Sequence, residues 1–314
     1  MKNIFIIILA LCLSAGASAQ EVSSGNYPFI IVLGIAQDAG YPQAGCTKEC
    51  CSRAWKDPLL KRFVASLALV DPSAKKWWLF DATPDLKEQL QLFQEITKGA
   101  YTYIPEGIFL THGHIGHYTG LMDLGKEAMN TTAIPVFVLP RMEDYLTNNG
   151  PWSLLVQLKN ISLQEMQADK PVSLGSQLSV TPFLVPHRDE FTETAGYKIQ
   201  WGNKNALFIP DIDKWEKFDQ NIYNLVQQSS FAFLDATFYK EGELEGRSIS
   251  DIPHPLVAES MARFRFLSDA DKLKVYFIHF NHTNPLLNIN SPEYKYTTKS
   301  YHVAAQGAVV MFPH

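Results

Sequence analysis

Cysteine is scarce in this chain, with four among 314 residues. Cys12 lies in an N-terminal apolar run, and Cys46, Cys50 and Cys51 crowd into "GCTKECC". An odd number of thiols so close together makes a poor disulfide framework, and a bridge between adjacent Cys50 and Cys51 would be strained. Three thiolates in this spacing suit a tetrahedral zinc site that takes one more ligand from elsewhere. A disulfide plus one free thiol, or three inert thiols, are the other readings of the same cluster.

Positive charge is not in excess either. The 27 Lys and Arg against 32 Asp and Glu give a net charge of −5 spread along the chain. No basic patch of the kind that holds nucleic acid results. Long hydrophobic runs are missing after the first one, at residues 4–13, which follows Lys2 and precedes the small residues Ala17, Ser18 and Ala19. That run is short for a membrane span and has the layout of a secretory signal. Residues 1–19 are therefore expected to be a signal peptide, and the mature protein to be exported, with no membrane span. No Gly/Ser linker, repeat, low-complexity stretch or charge block divides residues 20–314, which are expected to form a single domain.

Apolar and β-branched runs predict strands at 29–36, 64–70, 77–81, 107–111, 134–139, 177–185, 194–200, 205–210, 231–235, 273–279 and 307–312. Helical patterns fall at 84–96, 117–129, 141–148, 152–158, 213–228 and 254–267, with Pro84, Pro151 and Pro255 placed for a first turn. Two packed sheets covered by outer helices fit this order.

Histidine is where the chemistry gathers. "GIFLTHGHIGHYTGL", residues 107–121, holds His112, His114 and His117, three of the nine histidines. Imidazole is a common metal ligand, and two at alternate positions can face one ion while a third reaches its neighbour. Asp81, His112, His187, Asp211, Asp235 and His279 all stand at the ends of predicted strands, well placed to converge. Asp211 either bridges two ions or caps a following helix. Asp81 suits the role of orienting an imidazole through its free N–H, and Asp235 either does the same or satisfies backbone donors. His187 is a ligand or a surface-loop residue. His254 is a loop residue before a helix or a general acid. At least one of His279 and His282 is a ligand.

"THGHIGH" resembles the His-x-His-x-Asp-His signature of the metallo-β-lactamase superfamily, and His187, Asp211 and His279 follow in that family's order. "VLGIAQDAGYPQAGC", "DATPDL", "HYTGL" and "HFNHTNPLLNINSP" are similar to blocks of its pyrroloquinoline-quinone biosynthesis protein B subfamily, and together span residues 32–292. The resemblance implies a four-layer αβ/βα sandwich, two mixed sheets flanked by helices, with one or two metal ions at the sheet edge. It implies metal ligation by His112, His114, His117, His187, Asp211 and His279. By analogy with related phosphodiesterases of the carbon–phosphorus lyase pathway, it also implies a structural zinc on Cys46, Cys50, Cys51 and His282. The Cys-x-x-x-Cys-Cys spacing departs from the Cys-x-Cys-x-x-Cys of those relatives. Where the signature has Asp this chain has Gly116, so the second metal position is expected to be weaker or differently built.

These readings converge on an exported, zinc-dependent hydrolase that activates water for attack on an ester, phosphodiester or lactam-type bond of a small molecule. Asp211 would orient the attack and His254 would protonate the leaving group. The alternatives are an iron-dependent oxidoreductase of the cofactor-biosynthesis kind and a non-catalytic metal-binding relative. Iron or manganese suits the same His and carboxylate ligands.

Overall fold

Along the first strand, Phe29, Ile31 and Leu33 belong to one apolar cluster, while Ile30 and Val32 belong to another. The same alternation of faces runs through the next two strands, Leu67 and Leu69 against Ala68 and Val70, then Trp78 and Phe80 against Trp77 and Leu79. Strands apolar on both faces must be covered on both faces, which requires layers above and below the sheet. The computed structural model describes residues 26–175, 177–244 and 252–313; the expected signal, residues 1–19, lies outside the described residues.

Fourteen strands are described: β1 (Phe29–Gly34), β2 (Ser66–Asp71), β3 (Lys76–Phe80), β4 (Ile108–Phe109), β5 (Ile134–Val138), β6 (Ile161–Glu165), β7 (Val172–Gly175), β8 (Leu178–Leu184), β9 (Ala195–Trp201), β10 (Lys204–Ile209), β11 (Phe231–Asp235), β12 (Val275–Ile278), β13 (His302–Val303) and β14 (Val309–Met311). They form two seven-stranded sheets, ordered β14-β1-β2-β3-β4-β5-β6 and β13-β12-β11-β10-β9-β8-β7. Between the sheets lie Phe80, Phe109, Tyr197 and Phe208, with Phe80 stacked on Phe109 and edge-on to the other two. Burying a side chain such as Phe contributes roughly 1.5–3 kcal/mol. Helices Leu86–Thr97, Pro140–Asn148 and Trp152–Gln157 cover the outer face of the first sheet through Leu90, Phe93, Met142, Leu146 and Leu155. Helices Ile222–Gln228 and Val257–Arg263 pack on the second through Val226 and Val257. This is the αβ/βα sandwich.

All eleven expected strands are present, and β6, β7 and β13 are additional. The predicted helix at 117–129 is instead a single turn, Ile115–Tyr118, followed by a 3₁₀ segment, Thr119–Leu124. Gly120 explains the tight path, since a Cβ there would stand 2.0 Å from the Thr83 carbonyl oxygen. The predicted 213–228 helix is reduced to a 3₁₀ turn, Trp215–Lys217, and a helix that Asn221 caps by accepting from Tyr223 and Asn224. The last predicted helix, 254–267, begins only at Val257, which leaves His254 in the preceding loop.

The topology positions the site. β1 is antiparallel to β2, and β2 to β3, while β3 and β4 are parallel, so β1, β3 and β4 run the same way. By the same reasoning β8, β10, β11 and β12 share one direction. Residues just past the carboxyl ends of these seven strands therefore collect along an edge, the usual place for a ligand in such sheets. Ala36, just beyond β1, bridges to Phe280, just beyond β12, and so ties the edge of one sheet to the other.

Candidate metal centre

Two residues at strand ends hold an unusual backbone. Asp81 after β3 has φ +65° and His279 after β12 has φ +68°, the left-handed region that non-glycine residues seldom occupy. Such positions cost energy and concentrate at functional sites. Both residues face the cluster at the sheet edge.

His112, His114, His187 and Asp211 form the first group, their donor atoms all within 4.8 Å of one another. Asp211 Oδ2 lies 3.3 Å from His112 Nε2 and 3.2 Å from His187 Nε2. His114 Nδ1 stands 2.9 Å from His112 Nε2 and 3.3 Å from His187 Nε2. Ligands about 2.0–2.2 Å from one ion are themselves separated by roughly 3.0–3.5 Å, so this spacing fits a single divalent cation. The far nitrogen of His114 pairs with Glu190 Oε2 at 3.1 Å, which turns Nδ1 inward.

A second group holds Asp38, His117, Asp211 and His279. Asp38 Oδ1 is 3.2 Å from His117 Nε2 and 3.6 Å from His279 Nε2, yet all three atoms are buried without a hydrogen-bond partner. Buried polar atoms rarely go unsatisfied, and donors facing one another in this way suit a shared cation. Behind them, His117 Nδ1 donates to Asp81 Oδ2 at 2.7 Å, and Asp81 accepts in turn from the Thr111 amide and hydroxyl. His279 Nδ1 donates to Thr237 Oγ1 at 2.9 Å, whose hydroxyl donates to Asp235 Oδ1. Each ring thus has its outer nitrogen engaged and its inner nitrogen turned toward the cluster.

The electrostatics point the same way. Burial alone would lower the His117 pKa, but the Asp81 and Asp38 carboxylates beside it push it well above the ordinary value. Burial would raise Asp211, yet His187 and His254 hold its carboxyl well below the usual range. Burial, followed by the neighbouring His117, keeps His112 far down. A buried set of carboxylates with imidazoles packed among them favours a cation, and a bound divalent ion replaces the charge of the protons it displaces.

The remaining expected residues are also placed. The His187 side chain is fully buried, and no helix begins at Asp211 for it to cap, so the surface-loop and capping readings fall. His254 is buried although it lies in a loop, with Nδ1 2.8 Å from Asp235 Oδ2 and 3.2 Å from Asp211 Oδ1. Burial lowers its pKa, but Asp235 and Asp211 outweigh this and raise it to about 9. Asp235 fills both roles considered for it, since it also accepts from the Ile212 and Thr237 amides.

Gly116 supplies no carboxylate to the second group, and Asp38, from another segment, stands beside its histidines, so this group is built differently from the signature. A Cβ on Gly116 would lie 2.4 Å from Asp38 Oδ1 and 2.6 Å from Asp38 Cα. Asp38 lies inside "VLGIAQDAGYPQAGC", a segment with a visible resemblance, but its distance in sequence from the histidines concealed its place. Glu190, in the charged stretch after His187, likewise gives no local sign of its place beside His114.

A separate cluster brings Cys46, Cys50, Cys51 and His282 together. Cys46 and Cys50 Sγ are 3.6 Å apart, and His282 Nδ1 is 3.5 Å from Cys50 Sγ and 3.4 Å from Cys51 Sγ. The three thiols are unbridged in the structure, with the sulfurs grouped around the His282 ring. Around one zinc at about 2.3 Å from sulfur, neighbouring donors stand roughly 3.4–3.8 Å apart.

The family described as "Beta-lactamase superfamily domain" matches residues 76–280. Among curated proteins, a coenzyme PQQ synthesis protein B from Xanthomonas axonopodis pv. citri is 28% identical over 291 residues, covering 84% of this chain and 93% of its own length. A protein of the same name from Methylorubrum populi is 25% identical, with the same coverage. Among solved structures, zinc-bound PqqB from Methylobacterium extorquens superposes with a TM-score of 0.73 at 21% identity, covering 90% of this chain and 99% of that one. A diphosphatase from the PhnP family superposes at 0.62, also at 21% identity, covering 91% of this chain and 97% of that one.

Proposed function

Since the chain belongs to the beta-lactamase superfamily, we propose that it is a metal-dependent hydrolase acting on an ester, phosphodiester or lactam-type bond of a small molecule. The observation that carries this reading is the position of Asp211 Oδ2, which lies 3.2 Å from His187, 3.3 Å from His112 and 3.9 Å from His117. One carboxylate oxygen is thereby offered to both ligand groups.

His112, His114 and His187 would hold one ion, His117 and His279 a second, and Asp211 both; zinc is the assignment, with iron or manganese the alternatives. Divalent ions bound there supply the Lewis acidity that activates water at neutral pH and polarises a carbonyl or phosphoryl oxygen. Asp211 orients the attacking water from the middle of the cluster. Asp235 holds His254 through Nδ1, which leaves the ring's other nitrogen to give a proton to the leaving group. Thr237 relays the Asp235 charge to His279 and fixes that ring. Cys46, Cys50, Cys51 and His282 would hold a structural zinc that shares no donor with the edge cluster. Export after cleavage of residues 1–19 completes the proposal, and mass measurement of the mature N-terminus tests it. Among the described residues no helix is long and apolar enough to cross a membrane.

The length-wide similarity to proteins named for PQQ synthesis supports a second reading, a cofactor-pathway protein using iron in oxidation. Metal analysis of the purified protein, then turnover on phosphodiesters, lactones, thioesters and β-lactams, separates the two. Chelator-sensitive hydrolysis of one class is the expected result. Stoichiometric iron with oxygen uptake favours the second reading, and bound metal with no turnover favours a non-catalytic relative.

A further inference from the structure

We propose that Asp38 is a direct ligand of the ion on His117 and His279, and that residue 116 is glycine because the Asp38 loop fills the space of its side chain. This deepens the two-ion reading above and rests on it. Two independent observations meet here. One is the orphaned Asp38 Oδ1, buried 3.2 Å and 3.6 Å from two equally orphaned imidazole nitrogens. The other is the steric one, since the contact at Gly116 involves Asp38 Cα as well as its carboxylate. Backbone therefore passes against backbone, and no rotation of the Asp38 side chain would make room.

The rival account makes Asp38 a mere hydrogen-bond acceptor for His117. The His117 Nδ1 proton already goes to Asp81, so that account needs a doubly protonated ring with a carboxylate at each end. It also leaves His279 Nε2 facing Asp38 without a partner. A cation among the three satisfies every one of these atoms. The loop is held in position from outside the cluster, with the Gln37 amide donating to Phe280 O at 2.8 Å and the Gly40 amide to Gln37 O at 2.8 Å. Asp38 and His279 thus come from two segments already bonded to each other, which pre-forms this half of the site.

The test is metal stoichiometry at controlled free zinc, by equilibrium dialysis and elemental analysis of the full-length protein. The wild type should hold three equivalents, two at the edge cluster and one on the cysteines. Asp38→Ala and Asp38→Asn should each weaken one edge ion by at least the 10–100-fold typical of losing even an outlying partner of a metal ligand. Gly116→Ala should do the same without removing any donor, because its methyl displaces the loop. Circular dichroism and thermal melting of each variant establish that it is folded, and the near-isosteric Asn guards against a failure of Ala to fold. Full metal content with unchanged affinity in Asp38→Asn and Asp38→Ala would overturn the assignment. Weakened binding of that ion in the variants of a wild type that binds it but hydrolyses nothing would leave this assignment standing and sink the hydrolase reading instead.

Discussion

His279 and His282, only three residues apart, face different clusters: His279 Nε2 lies 3.6 Å from Asp38 Oδ1, whereas His282 Nδ1 lies 3.4 Å from Cys51 Sγ. The chain leaves β12 with His279 in the left-handed region, and this turn separates the two rings. His279→Ala should therefore abolish most turnover and one edge ion, and His282→Ala should lower the melting temperature and release the cysteine-bound ion. Parallel assays of activity, metal content and melting decide it. The reverse pattern would show the two roles exchanged.

Cys50→Ser should release about one metal equivalent and destabilise the fold, because metal bound only by the native state adds its binding free energy to stability. The edge cluster shares no donor with this site and should stay occupied. Thiol titration of the denatured wild type, with chelator and no reductant, should find three reactive groups. A single reactive thiol would mean that a disulfide forms instead.

His112→Ala combined with His114→Ala should empty the first edge position and reduce turnover to near background. Two of the four donors of that group are removed, and the remainder cannot satisfy a tetrahedral ion. Retention of full metal content in the double variant would refute the ligand assignment.

Asp81→Asn isolates the partner of His117. Asn tolerates the left-handed backbone at this position, so the fold should persist. The His117 ring loses its anionic acceptor and its fixed tautomer, and metal affinity should fall about 10–100-fold. Competition with a chromophoric chelator measures this directly. Unchanged affinity would mean that Thr111, whose hydroxyl lies 3.2 Å from His117 Nδ1, suffices to hold the ring.

Much of the site was legible because its signals are local. His112, His114 and His117 lie in one short segment, and Asp81, His187, Asp211, Asp235 and His279 each follow an apolar or β-branched run that reads as a strand. The elements missed were those with weak patterns. β7 alternates between half-buried and exposed residues, β13 has two half-buried residues, and β6 turns outward at its end. Edge strands bury one side at most, and their sequences carry little periodicity to read. The 3₁₀ path after Tyr118 was hidden for another reason, since it is imposed by the Thr83 carbonyl pressing on Gly120 rather than by any local preference.

The sequence by itself determined the two-sheet frame, the histidine motif and the family resemblance, because periodicity and spacing are properties of neighbouring residues. It also determined that position 116 has no side chain, and from that alone a weaker or differently built second metal position followed. Only the tertiary structure decided which carboxylate stands nearest to it. It brought Asp38 from the end of β1 into the gap, set Glu190 behind His114, and parted His279 from His282. Each of these depends on which strand ends share an edge and on how closely two backbones approach. Those are distances between segments far apart in the chain, which no local pattern encodes.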